Sequence, residues 1–212
     1  MKRSIPTAMV GGSFDPVHLG HLHLIHSVVT STHYRRIILV PVGHNHFKPD
    51  ARPVSVHHRL AMIDLSIASY RSLYPDDPEI DLVVDDCELQ RTGPSYTYDT
   101  VKDLYLKYPI KGRLAVVMGD DLLPKLTEWN SYEALKELVT FVVIRREGNS
   151  QSFSDIAADL VYLDNPRLSD SSTIIRNGCR SLQDGEHLPP EIARLMPPEV
   201  ASYIEDEQLY RS

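Results

Sequence analysis

The chain has 212 residues, 42% of them hydrophobic and 24% charged, and a formal net charge of −7. These values fit one soluble globular domain with a sizeable core, at roughly 100–200 residues per domain. The acidic balance excludes broad binding to nucleic acid or to an anionic membrane, while leaving room for a locally basic pocket.

After Met1-Lys2-Arg3 the apolar run is too short for a signal segment or a membrane span, so the expected compartment is the cytoplasm. Residues 5–10 read as a strand and residues 19–31 as a helix. Between them stands Gly11-Gly12-Ser13-Phe14-Asp15-Pro16-Val17-His18-Leu19-Gly20-His21. A Gly-rich turn from strand to helix lets backbone N–H groups approach an anion, and the helix N-terminus adds a favourable dipole. His18 and His21, three apart, share a face of the first helical turn and can donate to one phosphate. The competing readings are a plain polar helix start and a metal site, the latter because His23 and His26 extend the tract. A hydrolytic zinc site wants a third ligand and a general base, and Asp15 is the one nearby carboxylate. Phosphate contact is therefore favoured, and His23, His26 and His33 are read as structural.

A strand is expected over Arg36 to Val42, a polar His-rich loop over 43–54, and a helix through Arg59 to Ala68. A turn at Pro75 to Pro78 leads to a strand over Ile80 to Val84. Lys48 lies in a loop that follows the carboxyl end of a strand, where ligands of such sheets bind. Thr97 to Tyr108 has helical spacing, and Ser95-Tyr96-Thr97 stands just before a helix, where Thr97 could be its cap or present a hydroxyl and N–H groups to a ligand. Spacing alone favours Thr97 as the N-cap of this helix. Leu114 to Met118 is a strand closing on Gly119-Asp120-Asp121. There a carboxylate could accept ribose hydroxyls or simply cap a turn. Trp129, the sole tryptophan, sits in a polar segment and suits either a stacking platform or a half-buried structural role. Tyr132 to Leu138 reads as helix, Val139 to Ile144 as strand, and Leu160 to Leu163 as the last strand. The part from about 165 to 212 is mainly helical and punctuated by prolines. In Ser171-Ser172-Thr173-Ile174-Ile175-Arg176, residues Ser172, Thr173 and Arg176 share one helical face, which suits a polyphosphate or a bare capped helix. Cys87 and Cys179 form no Cys-x-x-Cys spacing, so neither a zinc ribbon nor a redox pair is indicated.

Unbroken apolar strands that alternate with helices predict an α/β fold: a Rossmann-like, doubly wound parallel sheet with helices on both faces and a helical C-terminal segment. The whole of 1–212 is expected to be one domain.

The chain resembles the His-x-Gly-His nucleotidyltransferase superfamily and, within it, the bacterial nicotinate-nucleotide adenylyltransferases. The resemblance runs over nearly the whole length. It rests on Gly11 to His21, Pro41 to Lys48, Pro94-Ser95-Tyr96-Thr97, Gly119-Asp120-Asp121, Trp129, Ser172 to Arg176 and the ending Tyr203 to Arg211. Two departures stand out. Asn45-His46-Phe47-Lys48 replaces the Pro-Pro-His-Lys common in that family, and Asn130 follows Trp129 where acid-specific relatives often carry an aromatic residue.

The resemblance implies that a pyridine mononucleotide attacks the α-phosphorus of ATP and that pyrophosphate leaves. It implies catalytic roles for His18, His21, Lys48 and Arg176. ATP would be bound by Gly11, Gly12, Ser13, Phe14, His18, His21, Gly119, Asp121, Ser172, Thr173 and Arg176. The mononucleotide would be bound by Asp15, Lys48, Tyr96, Thr97 and Trp129. Mg²⁺ would be carried on substrate oxygens, with no protein cage. Free amides after Trp129, at the helix start near Asn130 to Tyr132, favour nicotinate over nicotinamide mononucleotide. A homo-oligomer is compatible with the sequence. Phosphopantetheine adenylyltransferase shares the His signature but lacks the Ser-Tyr-Thr and Trp segments. A non-catalytic nucleotide sensor would be expected to lose His18, His21 or Arg176, and all three are present.

Overall fold

The structure is a computed structural model that describes residues 3–43, 53–145, 153, 155, 157–164, 172–183 and 185–211. Six strands form one parallel sheet: β1 (Thr7–Gly12), β2 (Arg36–Pro41), β3 (Asp81–Val84), β4 (Leu114–Gly119), β5 (Val139–Ile144) and β6 (Leu160–Tyr162). Their order is β3-β2-β1-β4-β5-β6, so the winding reverses between β1 and β4. This is the expected Rossmann-like architecture, and the gap at the reversal is where such sheets take ligands.

The helices are α1 (Leu19–Ser31), α2 (Val56–Leu73), α3 (Thr97–Lys107), α4 (Tyr132–Leu138), α5 (Ser172–Arg180), α6 (Pro190–Ala193) and α7 (Pro198–Asp206). A 3-10 helix runs over Asp120–Glu128. No helix among the described residues is long and apolar enough to cross a membrane.

The chain divides into two compact units, each built from separate stretches. The first holds the sheet, the last turns of α1, α3, the 3-10 helix and α4. Alternate residues of its strands share one core: Met9, Ile38, Val40, Val116, Met118, Phe141 and Val143 pack with Val101 and Leu104 of α3 and Leu135 of α4. The intervening set, Ala8, Val10, Ile37, Leu39, Ala115, Val117 and Val142, is buried too. Burial on both faces is why the strands read as unbroken apolar runs.

The second unit holds Ser13–His26, α2, α5, α6 and α7. Ser69 Oγ donates to Glu199 at 2.7 Å, and His58 Nδ1 lies 2.9 Å from the Tyr203 hydroxyl, joining α2 to α7. A Cβ on Gly178 would stand 2.7 Å from the Ile192 side chain, so glycine lets α5 approach that segment. The Pro189-Pro190 and Pro197-Pro198 pairs each place one proline at the N-cap and the next at the first helical position, where a missing N–H costs nothing.

The departures from expectation are local. Pro6 cannot donate to a ladder, so β1 starts at Thr7, and Ile5 makes only an isolated bridge to Ile110. Helix α2 is longer than the Arg59 to Ala68 core, because Ser55 caps it at His58 N–H and no Gly or Pro intervenes before Pro75.

Candidate active site

In the second unit, the segment Ser13–His18 forms a buried loop that leads into α1. Phe14 has φ 47° and is 1% exposed. Its ring centroid lies 5.0 Å from that of His21. The imidazoles of His18 and His21 are 3.9 Å apart by centroid. His21 is the third residue of α1, and its Nδ1 accepts the backbone N–H of His18 at 3.2 Å. That back-bond follows capping-box geometry with an imidazole in place of Glu or Gln. An accepting Nδ1 leaves the proton of neutral His21 on Nε2, as a fixed donor. The expected pairing of the two rings on one face therefore has a physical basis beyond helical spacing.

Arg176 and Asp15 meet in the same unit. Arg176 Nη1 donates to the Asp15 carbonyl at 2.5 Å and stands 3.9 Å from Asp15 Oδ2. Its Nη2 donates to Thr173 Oγ1 at 3.2 Å, which places both on one face of α5 as their spacing predicts. Ser172 Oγ donates to the Pro16 carbonyl at 2.9 Å. Sequence reasoning missed two residues here. Arg59, 2% exposed, donates to the Ser13 carbonyl at 3.1 Å, and Tyr210 donates to Asp15 Oδ1 at 2.9 Å. Burial pulls Arg59 below its ordinary pKa, with Asp15 and Tyr210 pushing back. A basic residue at a buried helix position is the signal that could have singled out Arg59.

In the first unit, Gly11 and Gly12 are the last residues of β1, paired with Val40 and Pro41, and do not form the turn. The correction follows from β2, which runs as far as they do, and from Val42, whose N–H reaches the Gly12 carbonyl at 2.9 Å. A Cβ on Gly11 would meet nothing within 4 Å, so packing does not demand glycine there. Gly119 ends β4, and Asp121 is exposed in the first turn of the 3-10 helix.

Thr97 is not the N-cap. It is the first residue of α3, the cap position is Tyr96, and no side chain caps that end. Tyr96 is 41% exposed. Trp129 follows the 3-10 helix and is half-buried against the core. Its indole Nε1 is buried without a hydrogen-bond partner among the described residues. Helix α4 does begin just after Trp129. However, the Tyr132 N–H donates to the Trp129 carbonyl at 3.0 Å, which removes one amide from the set expected to meet a ring carboxylate. Ser131 occupies the N-cap position of α4 in the left-handed conformation, φ 55°, without a side-chain capping bond.

Lys48, with Asn45, His46 and Phe47, lies outside the described residues. His26 Nδ1 is 2.8 Å from Asp77 Oδ1, and its ring stacks on Tyr74 at 4.5 Å, the structural role expected of it. Among the described residues no group of three or more His, Cys, Asp or Glu is arranged to hold a metal ion.

Residues 9–178 match the Cytidylyltransferase-like family. A Dehalococcoides mccartyi protein named probable nicotinate-nucleotide adenylyltransferase is 32% identical, over 98% of this chain and 98% of its own. A protein of the same name from Oceanobacillus iheyensis is 34% identical over 95% of each chain. Among solved structures, a Plasmodium falciparum nicotinic acid mononucleotide adenylyltransferase complexed with NaAD superposes with a TM-score of 0.73. It is 21% identical, with 97% of both chains covered. At that identity the superposition speaks for the fold.

Proposed function

The chain belongs to the cytidylyltransferase-like family, and from that premise we propose that it transfers AMP from ATP to nicotinate mononucleotide. The products are nicotinate adenine dinucleotide and pyrophosphate. The observation that carries the reading is the gathering of the His18 and His21 rings and the Arg176 guanidinium around one buried loop in a chain whose full-length relatives bear the name of that activity.

A 5′-phosphate oxygen of the mononucleotide forms a bond to the α-phosphorus of ATP, and the bond to the bridging oxygen breaks with its electron pair leaving on pyrophosphate. ATP enters as its Mg²⁺ complex, which neutralises part of the phosphate charge. No protein nucleophile is needed, so the protein contributes position and charge stabilisation. His18 and the Nε2–H of His21 hold the phosphates, with Ser13, Phe14, Ser172 and Thr173 around them. Arg176 and Lys48 balance the charge that develops on the leaving group. Gly11, Gly12, Gly119 and Asp121 belong to the adenosine side. Asp15, Tyr96, Thr97 and Trp129 belong to the mononucleotide side. We place the protein in the cytoplasm, since Cys87 and Cys179 are both free, buried thiols.

Dinucleotide formation from ATP, measured side by side with each pyridine mononucleotide, tests the reading. We expect the acid to be used at least about 10-fold more efficiently than the amide, equivalent to about 1.4 kcal/mol. Equal or reversed efficiencies would leave adenylyl transfer standing and transfer the substrate assignment to nicotinamide mononucleotide. Product from neither would refute the function.

Trp129→Ala is expected to raise the Michaelis constant for the mononucleotide and leave that for ATP nearly unchanged. Losing a stacking face costs on the order of 1–3 kcal/mol by analogy with bases on aromatic side chains. Mononucleotide binding should also quench the protein's tryptophan fluorescence, because Trp129 is the only tryptophan. An unquenched signal with unchanged constants assigns Trp129 to the core alone.

A further inference from the structure

We propose that Tyr210 is a positioning residue: through the Asp15 carboxylate, its hydroxyl holds the Ser13–His18 loop and Arg176 in the geometry that receives nucleotide phosphate. The inference rests on the phosphate-binding reading above and extends it to a residue 195 positions from the loop.

Asp15 is 6% exposed, and a carboxylate so buried needs donors. Oδ1 accepts from the Tyr210 hydroxyl at 2.9 Å and from the Val54 N–H at 3.2 Å. The same residue offers its carbonyl to Arg176, whose guanidinium stands 3.9 Å from Oδ2. Asp15 therefore ties the loop to α5 by its backbone, and the side chain decides how strongly it competes for the Arg176 cation. With Tyr210 and Val54 both donating, the carboxylate is held on the side of Oδ1. Without the hydroxyl, Oδ1 keeps only the Val54 N–H, and the carboxylate is freer to swing toward the Arg176 cation beside Oδ2. Closing that 3.9 Å separation would tighten the existing long ion pair into a direct charge-assisted hydrogen bond and withdraw the guanidinium from phosphate.

The segment after α7 is built to hold the tyrosine. Gln208 and Tyr210 have φ of 51° and 65°, left-handed values that non-glycine residues keep only where their surroundings impose them. The restraints lie on both sides. Leu209 is buried and its N–H donates to the Ile204 carbonyl at 3.0 Å. Arg211 donates to the carbonyls of Gln183 and Glu186 at 2.5 and 2.8 Å. Burial first, then the charge of Asp15 and the hydrogen bond to it, raise the Tyr210 hydroxyl above its ordinary pKa, so it remains a donor.

The test compares Tyr210→Phe with Tyr203→Phe. The second removes a hydroxyl from the same end of the chain, one that meets His58 and no loop residue in the bonds described above. For Tyr210→Phe, kcat/KM for ATP should fall at least about 10-fold, with the Michaelis constant for the mononucleotide changing less than about twofold. Amide exchange in a peptide covering residues 13–18 should quicken at least about fivefold. Tyr203→Phe should leave both at wild-type values. The proposal is overturned by wild-type ATP kinetics or wild-type exchange in Tyr210→Phe, or by Tyr203→Phe matching it in either measurement. If the wild-type protein makes no dinucleotide, the adenylyl-transfer reading has failed instead, and the exchange comparison alone decides the positioning role.

Discussion

His18→Ala and His21→Ala are each expected to cut turnover at least about 100-fold. A preorganised donor aimed at developing phosphate charge contributes about 3 kcal/mol in the transition state, and 1.4 kcal/mol is a factor of 10. His21 carries a structural role besides. It closes a back-bond to the His18 N–H, so His21→Ala should lower the melting temperature slightly. His21→Gln separates the two roles. Glutamine is a natural partner at this position of a capping box and can accept the same N–H. It should restore the melting temperature and leave turnover depressed, because the Nε2–H of the ring is gone. Turnover near wild type in His18→Ala or His21→Gln, with an intact melting curve, would remove these imidazoles from the chemistry.

The sheet was legible because burial on both faces leaves little choice of residue. Val139 to Ile144 and Leu114 to Met118 are unbroken apolar runs, and β5 and β4 fall on them within one residue. Helix α1 was as clear, since its first residue follows a turn segment and its last precedes polar residues. The 3-10 helix over Asp120–Glu128 has no clear signature in the sequence. It carries Pro124 inside, and its buried residues Leu123 and Leu126 are three apart, a period of 3.0 in a stretch too short to reveal a rhythm. Gly11 and Gly12 suggested a turn because glycine so often makes one. Here they continue a strand whose end is set by β2, and nothing local announces that.

The candidate site divides along the same line. What depends on neighbours in sequence was legible, such as the His18 and His21 pair and the face shared by Thr173 and Arg176. What depends on distant chain was not. The partners of the Asp15 carboxylate, Val54 and Tyr210, were not legible, because no spacing rule links residue 15 to residue 54 or 210. Arg59 likewise reaches Ser13 only because α2 is folded against that loop within one unit. Thr97 misled for a subtler reason. Hydroxyl residues favour the N-cap statistically, but α3 begins one residue earlier than that preference requires and its end carries no side-chain cap.

Arg176→Lys, which keeps the charge, is expected to behave as a severe change. The guanidinium is fixed by two protein bonds, Nη1 to the Asp15 carbonyl and Nη2 to Thr173, and its plane leaves further N–H groups in a set direction for phosphate oxygens. A lysine ammonium is a single point on a flexible stem. If it satisfies the Asp15 carbonyl it cannot also present a planar fork, and if it reaches for phosphate it leaves that carbonyl and the Asp15 carboxylate without their cation. One charge-assisted hydrogen bond is worth about 1.5–3 kcal/mol, so kcat/KM for ATP should fall between about 10- and 100-fold. The Michaelis constant for the mononucleotide should move less than about threefold, since Arg176 is assigned to the triphosphate. Steady-state kinetics with each substrate varied in turn makes the distinction. A lysine variant with wild-type ATP kinetics would show that charge alone suffices at this position. A loss confined to the mononucleotide would show that the guanidinium serves the other substrate.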